Sequence, residues 1–381
     1  MIQWNSVVAA ALIFFVIALV LVIILLLAKR FLVASGGVAI SINNGQKVIN
    51  AQSGKTLLAT LADGGVHLSS ACGGKGSCGQ CKVQVLSGGG DMLPTEAVHF
   101  TRRQMKDHWR LGCQVKSDLE IKVDESALDV KEWECEVISN RNVATFIKEF
   151  IVRLPEGEHM KFIPGSYAQI RIPKYEMTYD GDIDKELIGK EYLPAWEKFG
   201  LFNLKCVNTE TTVRAYSMAN YPAEGDRFML TVRIATPPFK PKPEVGFMDV
   251  NPGIASSYIF TLKPGDKVMM SGPYGDFHPI FNSKNEMMWI GGGAGMAPLR
   301  AQIMHMTKTL KTTDRVMNYF YGARALNEVF YLDDFLNLEK EFPNFHFHLA
   351  LDRPDPAADA AGVKYTPGFV HQVIYDTYLK N

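Results

Sequence analysis

The strongest pattern along the chain comes first: residues 7–28, VVAAALIFFVIALVLVIILLLA, are 22 uncharged, mostly apolar positions in a row. About 20 such residues let a helix span the hydrocarbon core of a bilayer, so residues 1–30 are expected to be a transmembrane anchor. The run exceeds the apolar region of a cleaved signal peptide, and no basic residue precedes it. Lys29 and Arg30 follow it, and positive charge favours the cytoplasmic side, which puts the C-terminal bulk in the cytoplasm.

After a Ser35-Gly36-Gly37 linker the period shortens. VAISI (38–42), KVQVL (82–86) and LEIKV (119–123) alternate as half-buried strands do. Between the first two, Leu57, Leu58, Leu61 and Ala62 share one helical face, with Ser53 as a candidate cap and Gly64-Gly65 as a stop. Residues 36–127 thus read as a small α+β domain. From 131 to 280, short alternating stretches are broken by turn signals such as Pro164-Gly165 and Pro264-Gly265-Asp266, which predicts an antiparallel β-barrel or sandwich. Within it, residues 175–203 are rich in charge and tyrosine without a strand period and read as an inserted excursion. From 285 to 381 the order is strand (287–291), glycine-rich turn, helix (298–310), strand (316–322), strand (344–351) and a terminal helix (369–379), the start of an α/β domain.

Lys+Arg equals Asp+Glu, 40 each, so there is no basic excess of the kind nucleic-acid binding requires. In a reducing cytoplasm the six cysteines are more naturally ligands or free thiols than disulfides. Three of them fall in ACGGKGSCGQC (71–81), where Cys72, Cys78 and Cys81 give C-x5-C-x2-C, and Cys113 supplies a fourth thiol. Four thiolates hold zinc or an iron-sulfur cluster. Structural zinc sites usually use two C-x-x-C pairs; here there is one, set among glycines that let backbone wrap closely round a bulky cluster. The spacing and glycines favour a two-iron cluster. Residues 36–127 resemble the plant-type and adrenodoxin-type ferredoxins, nearer the second because the first interval is five residues. The resemblance implies a β-grasp fold holding [2Fe-2S] through Cys72, Cys78, Cys81 and Cys113. Cys135 and Cys206 read as ordinary packed or surface thiols.

RAYS (214–217) lies on a barrel strand, where Arg214 and Tyr216 project to the same side. An arginine fork beside an aromatic plane suits a phosphate and a flat ring on one ligand. PGSYAQI (164–170) precedes it and NPGIASSYIF (251–260) follows, where a helix starting at Gly253 would offer N–H groups and Ser256 to a pyrophosphate, or Ser256 would simply cap. Together these resemble the flavin domain of the ferredoxin-NADP reductase family. The resemblance implies FAD, with Arg214 on its pyrophosphate, Gly253 and Ser256 completing that contact, Tyr216 against the isoalloxazine and Ser217 near its reactive nitrogen, the last two forming the catalytic pair. GGGAGMAPLR (291–300) follows a strand and opens a helix, with Gly293, Gly295 and Pro298 in the pattern G-x-G-x-x-P. Alone it is equally a structural turn; after a flavin barrel it resembles that family's nicotinamide domain, which implies NADH as the substrate. Arg324 stands alone after the second strand, with Glu328, Asp333 and Asp334 close by, which favours NADH over NADPH. The family's Cys-Gly segment beside the nicotinamide has no counterpart after Cys206, so either the chain is truncated at its C-terminus, the favoured expectation, or its hydride site is incomplete.

Anchor, ferredoxin, flavin domain and nicotinamide domain, in that order, resemble the electron-input subunits of bacterial sodium-translocating NADH:quinone oxidoreductases. The resemblance implies hydride transfer from NADH to FAD, single electrons to [2Fe-2S], and delivery to membrane partner subunits and ubiquinone. It implies a single-pass protein of the bacterial inner membrane, its redox domains on the cytoplasmic side. The span carries no charge, so sodium movement belongs to the partners. An NADH-dependent reductase serving an oxygenase, and an iron-sulfur carrier or sensor with a vestigial nicotinamide lobe, are the alternatives.

Overall fold

The computed structural model describes residues 12–24, 37–52, 54–116 and 119–380. Residues 12–24 form a helix, α1, whose apolar side chains stand open, Phe14 at 74% exposure. Among the described residues no helix is long and apolar enough to cross a membrane. The rest of the 7–28 run, together with Lys29 and Arg30, lies outside them.

The described residues divide into two compact units, those up to 69 with 74–129, and residues 70–73 with those from 130 on. The first is built on a five-stranded mixed sheet, order β2-β1-β5-β3-β4, from β1 (Gly37–Ile42), β2 (Lys47–Gln52), β3 (Lys82–Gly88), β4 (Trp109–Leu111) and β5 (Leu119–Lys122). β1 runs parallel to β5 and antiparallel to β2. The alternation in β1 is real: Val38, Ile40 and Ile42 are buried and the residues between them are not. They pack with Leu57 and Leu61 of helix α2 (Leu57–Asp63). That helix is capped by Thr56, whose hydroxyl accepts from Ala59 N at 3.3 Å, and not by Ser53, which lies outside the described residues.

The second unit opens with a six-stranded antiparallel sheet, order β11-β8-β13-β6-β7-β12, comprising β6 (Lys131–Ala144), β7 (Ile147–Arg153), β8 (Tyr167–Ile172), β11 (Thr212–Ser217), β12 (Arg227–Arg233) and β13 (Lys267–Tyr274). A bridge from Met218 to Leu230 joins its outer strands and closes a barrel. The inserted segment 175–203 contributes to the barrel core. It leaves through β9 (Tyr175–Thr178), forms helices α3 (Lys185–Ile188) and α4 (Leu193–Lys198), and returns through β10 (Lys205–Asn208), paired with β9. Tyr179, Ile188 and Trp196 are fully buried in the barrel core, Trp196 stacked 5.7 Å from Phe260 and donating its indole N–H to Thr145 O. Its charged residues are mostly exposed while Tyr179 and Trp196 join the barrel core. Helix α5 (Ile254–Thr261) covers the same core.

A parallel four-stranded sheet completes the unit: β14 (Met287–Gly291), β15 (Met317–Ala323), β16 (Phe345–Leu351) and β17 (Thr366–Pro367), with helices α6 (Ala297–Met304), α7 (Leu332–Glu341) and α8 (Val370–Ile374). Parallel strands buried on both faces read as apolar runs; Met317, Tyr319, Phe320 and Tyr321 are all inside.

Candidate redox sites

The cysteine loop owes its shape to its glycines. Gly73, Gly74, Gly76 and Gly79 all take positive φ, a region closed to most side chains. At Gly79 a Cβ would also meet His99 Nδ1 at 2.6 Å. His99 in turn holds the loop through its Nε2 and Gly76 O, 2.8 Å apart. The loop is zipped to the Cys113 turn by Gly112 N–H donating to Cys81 O, and that turn is tied to α2 by Leu58 N–H on Gly112 O.

These bonds bring Cys81 and Cys113, both buried, to hydrogen-bonding distance, with Cys78 near enough for their charges to interact. The Cys81 thiol is pushed well up by its bond to Cys113 and by burial. Gln114 aims its amide at Cys113 Sγ from 3.5 Å, the kind of N–H···S contact that supports a thiolate ligand. Cys72 is half-buried, in the 70–73 stretch grouped with the second unit. Among the described residues no three His, Cys, Asp or Glu side chains converge on a single-ion site. A two-iron cluster divides its four thiolates between two metals, so a close Cys81–Cys113 pair fits it better than a one-ion cage. His99 and Gln114 were missed in the sequence; only the adjacency Cys113-Gln114 hinted at one of them.

Beneath the Cys113 turn lies a buried ion pair. Arg110 Nη2 stands 2.6 Å from Glu96 Oε1, and Arg110 also donates to Gly89 O and Gly90 O. Burial disfavours the Glu96 charge, but bonds from Arg110 and from the N–H groups of Leu111 and Leu93 outweigh it and hold the carboxyl below its ordinary range.

In the second unit, Arg214, Tyr216 and Ser217 stand on β11 opposite Ile170, Ala168 and Tyr167 of β8. Every residue of β11 is half-buried. Tyr216 packs against the barrel core, and burial raises its phenol pKa while Arg214 opposes the rise. Arg214 Nη1 is parked on Thr212 Oγ1 and Val213 O, both at 2.8 Å. Gly253 caps α5, as expected. Ser256 spends its hydroxyl internally, donating to Gly253 O and accepting from Ala235 N, each at 3.0 Å. It therefore shapes the helix start, whose first-turn N–H groups lack intrahelical acceptors. A stacked pair, Tyr167 and Tyr274 at 5.4 Å, flanks β11 and was not foreseen.

The glycine turn follows β14. At Gly292 a Cβ would fall 2.0 Å from Gly322 O, so only glycine allows β14 to end this close to β15. Residues Gly293–Met296 make one tight turn and run into α6, with Pro298 in its first turn, where its missing N–H costs nothing. Gly295 faces open space. Thr231 Oγ1 of β12 donates to Ala294 O at 2.8 Å. Beside the C-terminal ends of β15 and β16 opens a cleft of about 570 Å³ lined by Arg324, Asp352, Arg353, Phe369 and His371. Arg324 is thus not alone: Arg353, 29 positions away in sequence, joins it. Glu328 and Asp334 are engaged elsewhere, the first with Thr145, the second 3.6 Å from Arg300.

A thiol loop on a mixed α+β sheet, a flavin-type barrel and a glycine turn on a parallel sheet together define an iron-sulfur flavoprotein of the NAD-dependent reductase class. The chain matches the 2Fe-2S iron-sulfur cluster binding domain over residues 40–118, the oxidoreductase FAD-binding domain over 198–278 and the oxidoreductase NAD-binding domain over 289–380. It is 49% identical to the F subunit of the Na(+)-translocating NADH-quinone reductase of Klebsiella pneumoniae over 93% of this chain and 84% of that one, and 50% identical to its counterpart in Actinobacillus pleuropneumoniae over the same shares. The chain belongs to the family of F subunits of Na(+)-translocating NADH-quinone reductases. Its fold is similar to the crystal structure of Amycolatopsis cytochrome P450 reductase GcoB, TM-score 0.56 at 24% identity, over 90% of this chain and 87% of that one.

Proposed function

We propose that this chain is the electron-input subunit of a sodium-translocating NADH:quinone oxidoreductase, taking reducing equivalents from NADH and passing them singly to membrane partner subunits and ubiquinone. The observation that carries this reading is the uninterrupted order of the three redox domains in a chain about half identical to the named relatives. When bound, FAD exchanges electron pairs with a nicotinamide and single electrons with an iron-sulfur centre.

The chain's own residues supply position and electrostatics. Cys72, Cys78, Cys81 and Cys113 are the [2Fe-2S] ligands, with Gln114 donating to one sulfur. Arg214 leaves Thr212 for the FAD pyrophosphate, helped by the N–H groups at the start of α5, which Ser256 braces. Tyr216 would pack against the flavin ring and Ser217 would offer it a hydroxyl, so both are the candidate catalytic residues. Gly293, Gly295 and Pro298 shape the turn that takes the NADH pyrophosphate, and the Arg324–Arg353 cleft takes the adenosine end. Residues 7–28 form a single-pass anchor, supported by the openly exposed apolar side chains of α1, with the redox domains on the cytoplasmic side of the bacterial inner membrane. The test is an anaerobic NADH titration of detergent-extracted protein carrying flavin and iron. Flavin bleaching followed by the paramagnetic signal of a reduced two-iron cluster is expected; a flavin that stays oxidised in excess NADH overturns the reading.

A further inference from the structure

We propose that Thr231, a barrel residue, is the positioning residue that aims the amides of the nicotinamide-domain turn at the pyrophosphate of NADH; this rests on the functional reading above. Thr231 is 5% exposed on β12, and its hydroxyl leaves its own strand to donate to Ala294 O at 2.8 Å. The same carbonyl accepts the N–H of Ala297, the bond that closes the turn Gly293–Met296. In any helical turn the carbonyls point one way along the axis and the N–H groups the other. A hydroxyl fixed on the Ala294 carbonyl therefore directs the amides at the N-terminal end of the turn away from the barrel strand.

The turn needs such an outside restraint. Residues 291–293 and 295 are glycines, the residues with most backbone freedom, and nothing lies within 4 Å of where a side chain at Gly295 would begin. The strand beneath is well held. Thr231 pairs with Glu149 of β7, and Glu149 accepts the Tyr331 hydroxyl at 2.5 Å. One register position of the barrel thus meets the nicotinamide domain twice, at the turn and at the start of α7. The ring of Tyr331 lies 4.9 Å from the Arg300 guanidinium of α6, so the helix that continues the turn is steadied from the same place.

The experiment compares the parent with Thr231→Val, which keeps the shape and loses the donor, and Thr231→Ser, which keeps the donor. ADP-ribose binding to the oxidised flavoprotein reads the turn directly, whether or not hydride transfer follows. Valine is expected to weaken it about tenfold, the size of one charge-assisted hydrogen bond, and serine to restore it. Flavin reduction by N-benzyl dihydronicotinamide, which carries no phosphate, is expected to proceed at the parental rate in all three. Unchanged ADP-ribose affinity in the valine variant, no rescue by serine, or an equal loss with the phosphate-free reductant overturns the proposal. If the parent binds ADP-ribose but NADH leaves its flavin oxidised, the functional reading fails while the role of Thr231 stands.

Discussion

Lys148 is wholly buried in β7, and replacing it with methionine should flatten the pH dependence of stability above neutrality. Its ammonium donates to Asn140 O at 2.9 Å and Leu187 O at 3.2 Å and sits 5.2 Å above the Phe260 ring. Among the described residues it has no carboxylate in ion-pair contact; Asp184, which favours its charge, is itself 3.3 Å from Lys263. Burial therefore dominates and lowers the Lys148 pKa from 10.5 to about 7. Between those values the unfolded chain binds the proton and the folded chain does not, so folding strengthens as pH rises through that window and is flat in this respect below it. One pKa unit corresponds to about 1.4 kcal/mol; allowing for partial protonation near pH 7, the expected gain is about 1 kcal/mol for each unit from pH 7 to 9. The assay is urea unfolding followed by tryptophan fluorescence at three pH values, for the parent and Lys148→Met. Taking the difference between the two proteins cancels groups common to both, such as the Cys135 thiol, which burial pushes up to about 12. Parallel pH profiles for parent and variant would show that the ammonium stays charged inside the barrel, refuting the argument.

Three further outcomes are expected. Cys113→Ser should abolish the two-iron absorption and paramagnetic signal while flavin content is retained, checked by iron and flavin analysis of the same preparation. Arg214→Ala should weaken FAD binding by at least about tenfold through loss of a phosphate fork, seen as flavin lost on gel filtration and as a raised Kd on titration. Arg110→Met strands the Glu96 carboxylate in the ferredoxin core at a cost of roughly 3–5 kcal/mol, measured as a lower melting transition of that domain and relieved in part by adding Glu96→Gln.

Periodicity exposed what depends on neighbours along the chain. β1 alternates as its letters do, RAYS lies on a strand, and GGGAGMAP links a strand to a helix because each feature is local. The segment 175–203 hid its role because Tyr179, just after β9, Ile188 of α3 and Trp196 of α4 share no common period. Arg353 and Arg324 meet only through the parallel pairing of β15 with β16. The bonds of Ser256 to Gly253 and Ala235 were equally hidden, since Ala235 lies on a separate stretch of chain 21 positions away. Thr231 gave no signal at all: a threonine on a strand is unremarkable until the turn that receives its proton is placed against it.

The double seat of the nicotinamide domain on the barrel limits how this reductase can be recombined. Cutting near residue 283 and grafting a foreign domain would leave Glu149 without Tyr331, Thr231 without its turn, and Ala219 O and Glu224 without Arg300, which now reaches both at 2.9 and 2.8 Å. Any exchange therefore has to keep barrel and nicotinamide domain together.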